Sequence, residues 1–156
     1  MKNNNQINVF DVANYLISQT DTNKYKISNM KINKLLYYIQ GHYIAQTGKT
    51  LFPEKIEAWL FGPVILNIYS EFFNFVDNSI PNDYVCKGAS KNELTTEAKK
   101  IIDKVINKYS PFSARELSVK THEELPWKEA YNPRKKWQNN IITHQLLEKF
   151  FKDNII

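Results

Sequence analysis

Histidine, cysteine and clustered carboxylates are the side chains through which this chain could do chemistry. His122 beside Glu123 and Glu124 is the one place where an imidazole and carboxylates lie close in sequence, a set that elsewhere serves acid–base catalysis or metal ligation. Neighbours one and two apart on a helix point in different directions, so the three groups do not converge on one atom. The spacing Thr121-His122-Glu123-Glu124 instead matches a capping box, which points to a helix start. Cys86 is the only cysteine; it has no base nearby in sequence, and His42, His122 or His144 would have to be brought to it by the fold. A single thiol also makes no intramolecular disulfide or cysteine-rich metal cage, in keeping with a reducing compartment. Gly41, Gly48, Gly62 and Gly88 never form a phosphate-cradling loop. The sequence therefore offers no catalytic residue, no cofactor-binding residue and no metal ligand, and it reads as a non-enzyme that needs no cofactor.

Aromatic residues are the opposite case, with 9 Tyr, 9 Phe and 3 Trp. Tyrosine and tryptophan carry protein interfaces because they give large contact area with few rotors and a polar tip. Tyr37, Tyr38, Tyr43, Trp59, Phe61, Tyr69, Phe72 and Phe73 crowd around two stretches, more rings than a core of this size commonly needs. Trp59 reads as core; some of the tyrosines are candidates for a binding face. Of 21 basic residues only Arg115 and Arg134 are arginines, so the net charge of +5 comes from lysine, the weaker choice for bidentate phosphate or base recognition. Lys100, Lys104 and Lys108 recur every fourth residue and form a stripe. That stripe reads first as a solvated helix face, with nucleic-acid binding or autoregulation as the alternative function. Residues 1–6 lack the apolar core of a signal peptide and no later run approaches a membrane span, which points to a cytoplasmic protein with no membrane partner.

The elements that must position these residues are mostly helices. Val9, Val12, Ala13, Leu16 and Ile17 follow helical spacing, which predicts a first helix over 9–18. Ser28 is placed to cap a second, which carries Ile32, Leu35, Leu36, Ile39 and Tyr43 and stops at Gly48. Tyr37 and Tyr38 widen its apolar stripe until the helix reads as central. The run from Ile56 to Tyr69 predicts a strand passing through a hinge of Trp59, Gly62 and Pro63 into a helix that starts at the proline. Tyr84-Val85-Cys86 is a candidate strand to pair with residues 55–59. Thr95 caps a helix with Ala98, Ile101, Ile102, Val105, Ile106 and Tyr109 on its core face, and Ser113 opens a capping box with Glu116. Residues 132–136 read as an exposed loop, and Thr143 starts a last helix stapled by Ile142 and Leu147, with Leu146, Leu147 and Phe150 inward and Phe151 beside them. The expectation is a mainly α fold, a single domain over 1–156 with a flexible 1–7, and at most a two- or three-stranded element near 55–60 and 83–87.

Three blocks in order, Lys31 to Gly41, Ala58 to Val64 with Tyr69, and Thr121 to Ala130, resemble the signature of the Panacea domain, also called the SocA-like antitoxin domain, typical of phage-associated proteins. The resemblance spans about Val9 to Tyr131. Ile32 and Asn33 stand where leucine and glutamine are more usual, and Phe61 where tyrosine is more usual before Gly-Pro. The resemblance implies an antitoxin of a toxin–antitoxin pair that neutralises a separately encoded protein toxin by direct binding. One member of that family is similar to an adaptor that delivers its toxin to the ClpXP protease; no motif of this chain carries that role over. Some relatives add a DNA-binding module, and here almost the whole length is taken up by the domain. The partner-facing candidates are the exposed members among Tyr37, Tyr38, Phe61, Tyr69, His122, Glu124 and Trp127.

Overall fold

The second helix of this protein has no solvent face along most of its length. In the computed structural model, which describes residues 6–135 and 140–156, every residue from Lys31 to His42 is buried. A helix covered on all sides lies at the centre of its fold. This is α2 (Asn29–Thr47), which Ser28 caps by accepting from Lys31 N and Gly48 ends with φ 75°. Around it pack α1 (Val9–Gln19), α3 (Leu66–Glu71), α4 (Thr96–Tyr109), α5 (Ala114–His122) and α7 (His144–Lys152), while α6 (Leu125–Ala130) packs on α5 and α7. With only a small sheet beside them, the fold is mainly α, as the periodicity predicts.

Several starts and stops follow the local rules. The Ser113–Glu116 capping box forms in both directions, Thr95 caps α4 and Thr143 caps α7. A further box, Asn8 with Asp11, opens α1 and has no counterpart in the serine and threonine starts read from the sequence.

The hinge is different from the expectation. Ile56–Trp59 (β1) and Gly62–Val64 (β2) form an antiparallel hairpin with Trp59 opposite Gly62 and Ala58 opposite Pro63. Pro63 therefore sits in a strand and not at a helix start. It is tolerated because β2 is an edge of the sheet, whose order is β2-β1-β3. Gly62 supplies the turn with φ 118°. A Cβ there would also come within 3.0 Å of Lys34 Cε and of Thr121 Oγ1, so both the backbone angle and the space select glycine. The helix waits until Leu66 because Asn33 on α2 takes the Ile65 amide at 2.8 Å and holds that residue extended.

The third strand is β3 (Ile141–Ile142), which pairs with β1 through Ile56 and Glu57. The expected partner at 84–86 is not a strand. Its amides go elsewhere, Tyr84 N to Pro81 O and Cys86 N to Asn14 Oδ1. On α7 the fully buried residues are Leu147 and Phe151, with Leu146 and Phe150 only partly covered. Phe151 was expected beside the core face; it forms its centre, because its ring lies against Gly41 and Tyr37. Within the expected 1–7 and 132–136 segments, residues 1–5 and Lys136 lie outside the described residues.

Gly41 lets α7 approach α2, since a Cβ at that position would overlap the Phe151 ring. Gly41→Ala should destabilise the protein by about 1–3 kcal/mol through overpacking, and adding Phe151→Leu should recover part of that loss. Urea denaturation of the two single variants and the double variant measures the coupling.

Candidate partner-binding groove

Three consecutive carbonyls of the hairpin turn are held by side chains from α5 and α6. Trp127 Nε1 donates to Trp59 O at 2.8 Å, His122 Nε2 faces Leu60 O at 2.7 Å, and Ser118 Oγ donates to Phe61 O at 2.8 Å. The clamp is reinforced by ring contacts, His122 to Trp127 at 4.0 Å and Trp127 to Tyr131 at 4.5 Å. Its local origin is simple: Ser118 and His122 lie one turn apart on α5, and Glu124-Leu125-Pro126 starts α6 so that Trp127 turns back toward the same turn. His122 Nδ1 also faces the Ser118 carbonyl. The expected second capping box does not form. Thr121 Oγ1 donates to Ser118 O within α5, and no side-chain bond caps α6.

Because the clamp grips the backbone, it leaves the turn's side chains outside. Leu60 and Phe61 are 61% and 63% exposed. They form one wall of a groove of about 970 Å³. Another wall carries Tyr69, Phe73 and Val76, with Trp59 and Tyr69 in edge contact at 5.0 Å and Tyr69 and Phe73 at 5.8 Å. Met30, Phe73 and Val76 are exposed along with the turn, so the groove has an apolar rim. Its base includes Lys31 and Lys34 of α2, both buried. Burial pulls the Lys34 ammonium down to about 8. Among the described residues its recorded hydrogen bond is to Met30 O at 3.4 Å, and no carboxylate lies within salt-bridge distance.

Tyr37, Tyr38 and Glu124 do not line this groove. Both tyrosines are fully buried, and Glu124 is 8% exposed. Tyr37 Oη donates to Glu124 Oε1 at 3.1 Å and Tyr38 Oη to Oε2 at 3.0 Å. Tyr38 also stacks on Tyr109 at 3.9 Å, and the Tyr109 hydroxyl meets His42 Nε2 at 3.2 Å. Burial pushes the Glu124 carboxyl up to about 7, against the opposing pull of the two hydroxyls and of Lys120 and Lys108. Burial pushes all three tyrosines well above their usual value, helped by the Glu124 charge, and pulls His42 down to about 4 with a further push from Lys108. This is an interior polar cluster whose hydrogen bonds close on one another.

Of the sequence candidates, Phe61 and Tyr69 are brought together on the groove, and Trp59 joins them. His122 and Trp127 stand behind the turn and shape it. Leu60, Phe73, Met30, Lys31 and Lys34 also line the groove without being candidates from sequence, and the adjacent Leu60-Phe61 before Gly-Pro is the one local signal for them. Cys86 is buried, and burial with the Glu71 and Asp11 charges pushes its thiol up to about 12. Lys100, Lys104 and Lys108 are exposed along α4. No helix among the described residues is long and apolar enough to cross a membrane.

The family model described as antitoxin SocA-like, Panacea domain, matches residues 32–128, and the chain belongs to that family. The relatives include antitoxin SocA of Caulobacter vibrioides, strain NA1000 / CB15N, 38% identical over 61 residues, which are 39% of this chain and 32% of that protein. The chain thus aligns with about a third of that curated relative's length. No solved structure matches it.

The buried carboxyl makes stability depend on pH. The folded protein keeps the Glu124 proton up to about pH 7, whereas the ordinary value is 4.5. Its contribution is therefore complete below about pH 4.5 and is lost as pH rises through about 7. Glu124→Gln mimics the protonated form. The stability of the wild type relative to this variant should fall by on the order of 2–3 kcal/mol between about pH 5 and pH 8, as read by urea denaturation at both values.

Proposed function

We propose that this protein is an antitoxin that neutralises a separately encoded protein toxin by binding it directly, with the groove beside the β1–β2 turn as the contact surface. The observation that carries the reading is the pairing of a backbone held by three side-chain bonds with two large apolar side chains left in solvent, Leu60 and Phe61. Exposed apolar surface on a rigid support marks a docking site, since little ordering entropy is lost when a partner covers it. The rings of Phe61, Tyr69 and Phe73 are suited to act as anchors. Family membership and the name of the Caulobacter relative support an antitoxin role over other binding functions. The toxin would meet this protein inside the cell. Adaptor action toward a ClpXP-type protease is the further step this reading admits, and it is distinguished by whether a neutralised toxin persists or disappears.

Co-expression with the product of the adjacent gene tests the proposal. The wild type should restore growth and co-purify with that product. Leu60→Glu/Phe61→Asp should lose both effects while keeping a stability within about 0.5 kcal/mol of wild type, because both side chains are already in water. An adjacent product that is harmless alone, or that stays toxic and unbound beside the wild type, would overturn the reading.

A further inference from the structure

The apolar rim does not account for what lies at the base of the groove. Ser110, which ends α4 and lines the groove, is 2% exposed. Its Oγ is, among the described residues, the buried side-chain polar atom without a hydrogen-bond partner. Beside it, Lys31 donates from Nζ to the Ser110 carbonyl at 2.7 Å. That bond uses one of the three donors of an ammonium group. Tyr25 lies across the same ammonium at 5.8 Å from its ring centre.

The surroundings favour a negative ligand. The groove is lined by five cationic side chains, Lys24, Lys26, Lys31, Lys34 and Arg115, against the two carboxylates Asp77 and Glu116. The first turns of α2 and α5 also border it, and both present the positive end of a helix of nine residues or more. Lys31 offsets the carbonyl end of α4 at Ser110 with one donor, and its spare donors, with the excess of cationic side chains at the foot of an apolar-walled groove, are complementary to a carboxylate with apolar neighbours.

We propose that the groove recognises an acidic side chain of its partner, an aspartate or glutamate seated against Lys31 Nζ, with apolar residues on both sides of it packed on Leu60, Phe61 and Phe73. A side chain within the partner fits better than a chain terminus, because the apolar walls stand on more than one side of the base and a terminus supplies apolar neighbours on one side only. The inference rests on the reading of the groove as the partner-binding surface, and it names the chemistry that surface selects.

The test uses a random peptide library selected on the full chain and counter-selected on the Leu60→Glu/Phe61→Asp chain. Recovered peptides should carry Asp or Glu between apolar residues. Their Asn or Gln analogues should bind roughly tenfold more weakly by fluorescence anisotropy, the size of one charge-assisted hydrogen bond. Lys31→Met should weaken the acidic peptide by about the same factor and leave the amide peptide unaffected. Equal binding of acid and amide forms, peptides without acids, or a library with no groove-dependent binder would overturn the proposal. Loss of rescue in co-expression with the acid preference intact would sink the antitoxin reading alone; rescue without that preference would sink this one.

Discussion

A helix buried along most of its length must satisfy its covered polar side chains with the rest of the protein, and α2 does this at several positions. Asn33 takes the Ile65 amide, Gln40 bonds both Leu51 N and Phe52 O, and the Tyr37 and Tyr38 hydroxyls close on Glu124. Lys31 reaches Ser110 O and His42 meets Tyr109. Each bond fixes a different segment against the same axis. Unpaired, any of these groups would cost about 1–3 kcal/mol, so the central helix dictates where the hairpin, the α3 start, α4 and α6 must sit.

The exterior follows from that interior. Glu124, drawn inward by two tyrosines, places the α5–α6 corner so that Ser118, His122 and Trp127 face the hairpin carbonyls. The turn is then held from behind through its backbone, and its own side chains have nowhere to go but outward. A rigid turn carrying Leu60 and Phe61 in solvent is a different object from a flexible loop with the same residues, because docking on it loses little conformational freedom. Core and candidate surface are thus two sides of one hydrogen-bond arrangement.

Aromatic residues divide between the two. Tyr37, Tyr38, Tyr109, Phe72 and Phe151 fill the interior, whereas Phe61 and Phe73 stand out and Trp59 and Tyr69 lie between. The tyrosines of α2 have the composition of interface residues but are held inside by the acceptor they share. Their hydroxyls are what makes burial of Glu124 affordable.

Helix existence and most helix starts were settled by the sequence itself, because serine and threonine caps act on amides three residues away and helical spacing declares a face within two turns: Ser28, Thr95, Ser113 and Thr143 all cap as read. The centrality of α2 was legible for the same reason. Pro63 was not, since Gly-Pro is equally compatible with a helix start and an edge strand, and the pairing with β1 together with the Asn33 bond to the Ile65 amide decides between them. Likewise the pairing of β1 with the two-residue β3, the inward turn of Tyr37 and Tyr38, and the meeting of Lys31 with Ser110 depend on partners dozens of residues away. Local chemistry determined which segments are helices; the requirement that buried polar groups find each other across the fold decided which residues are left facing a partner.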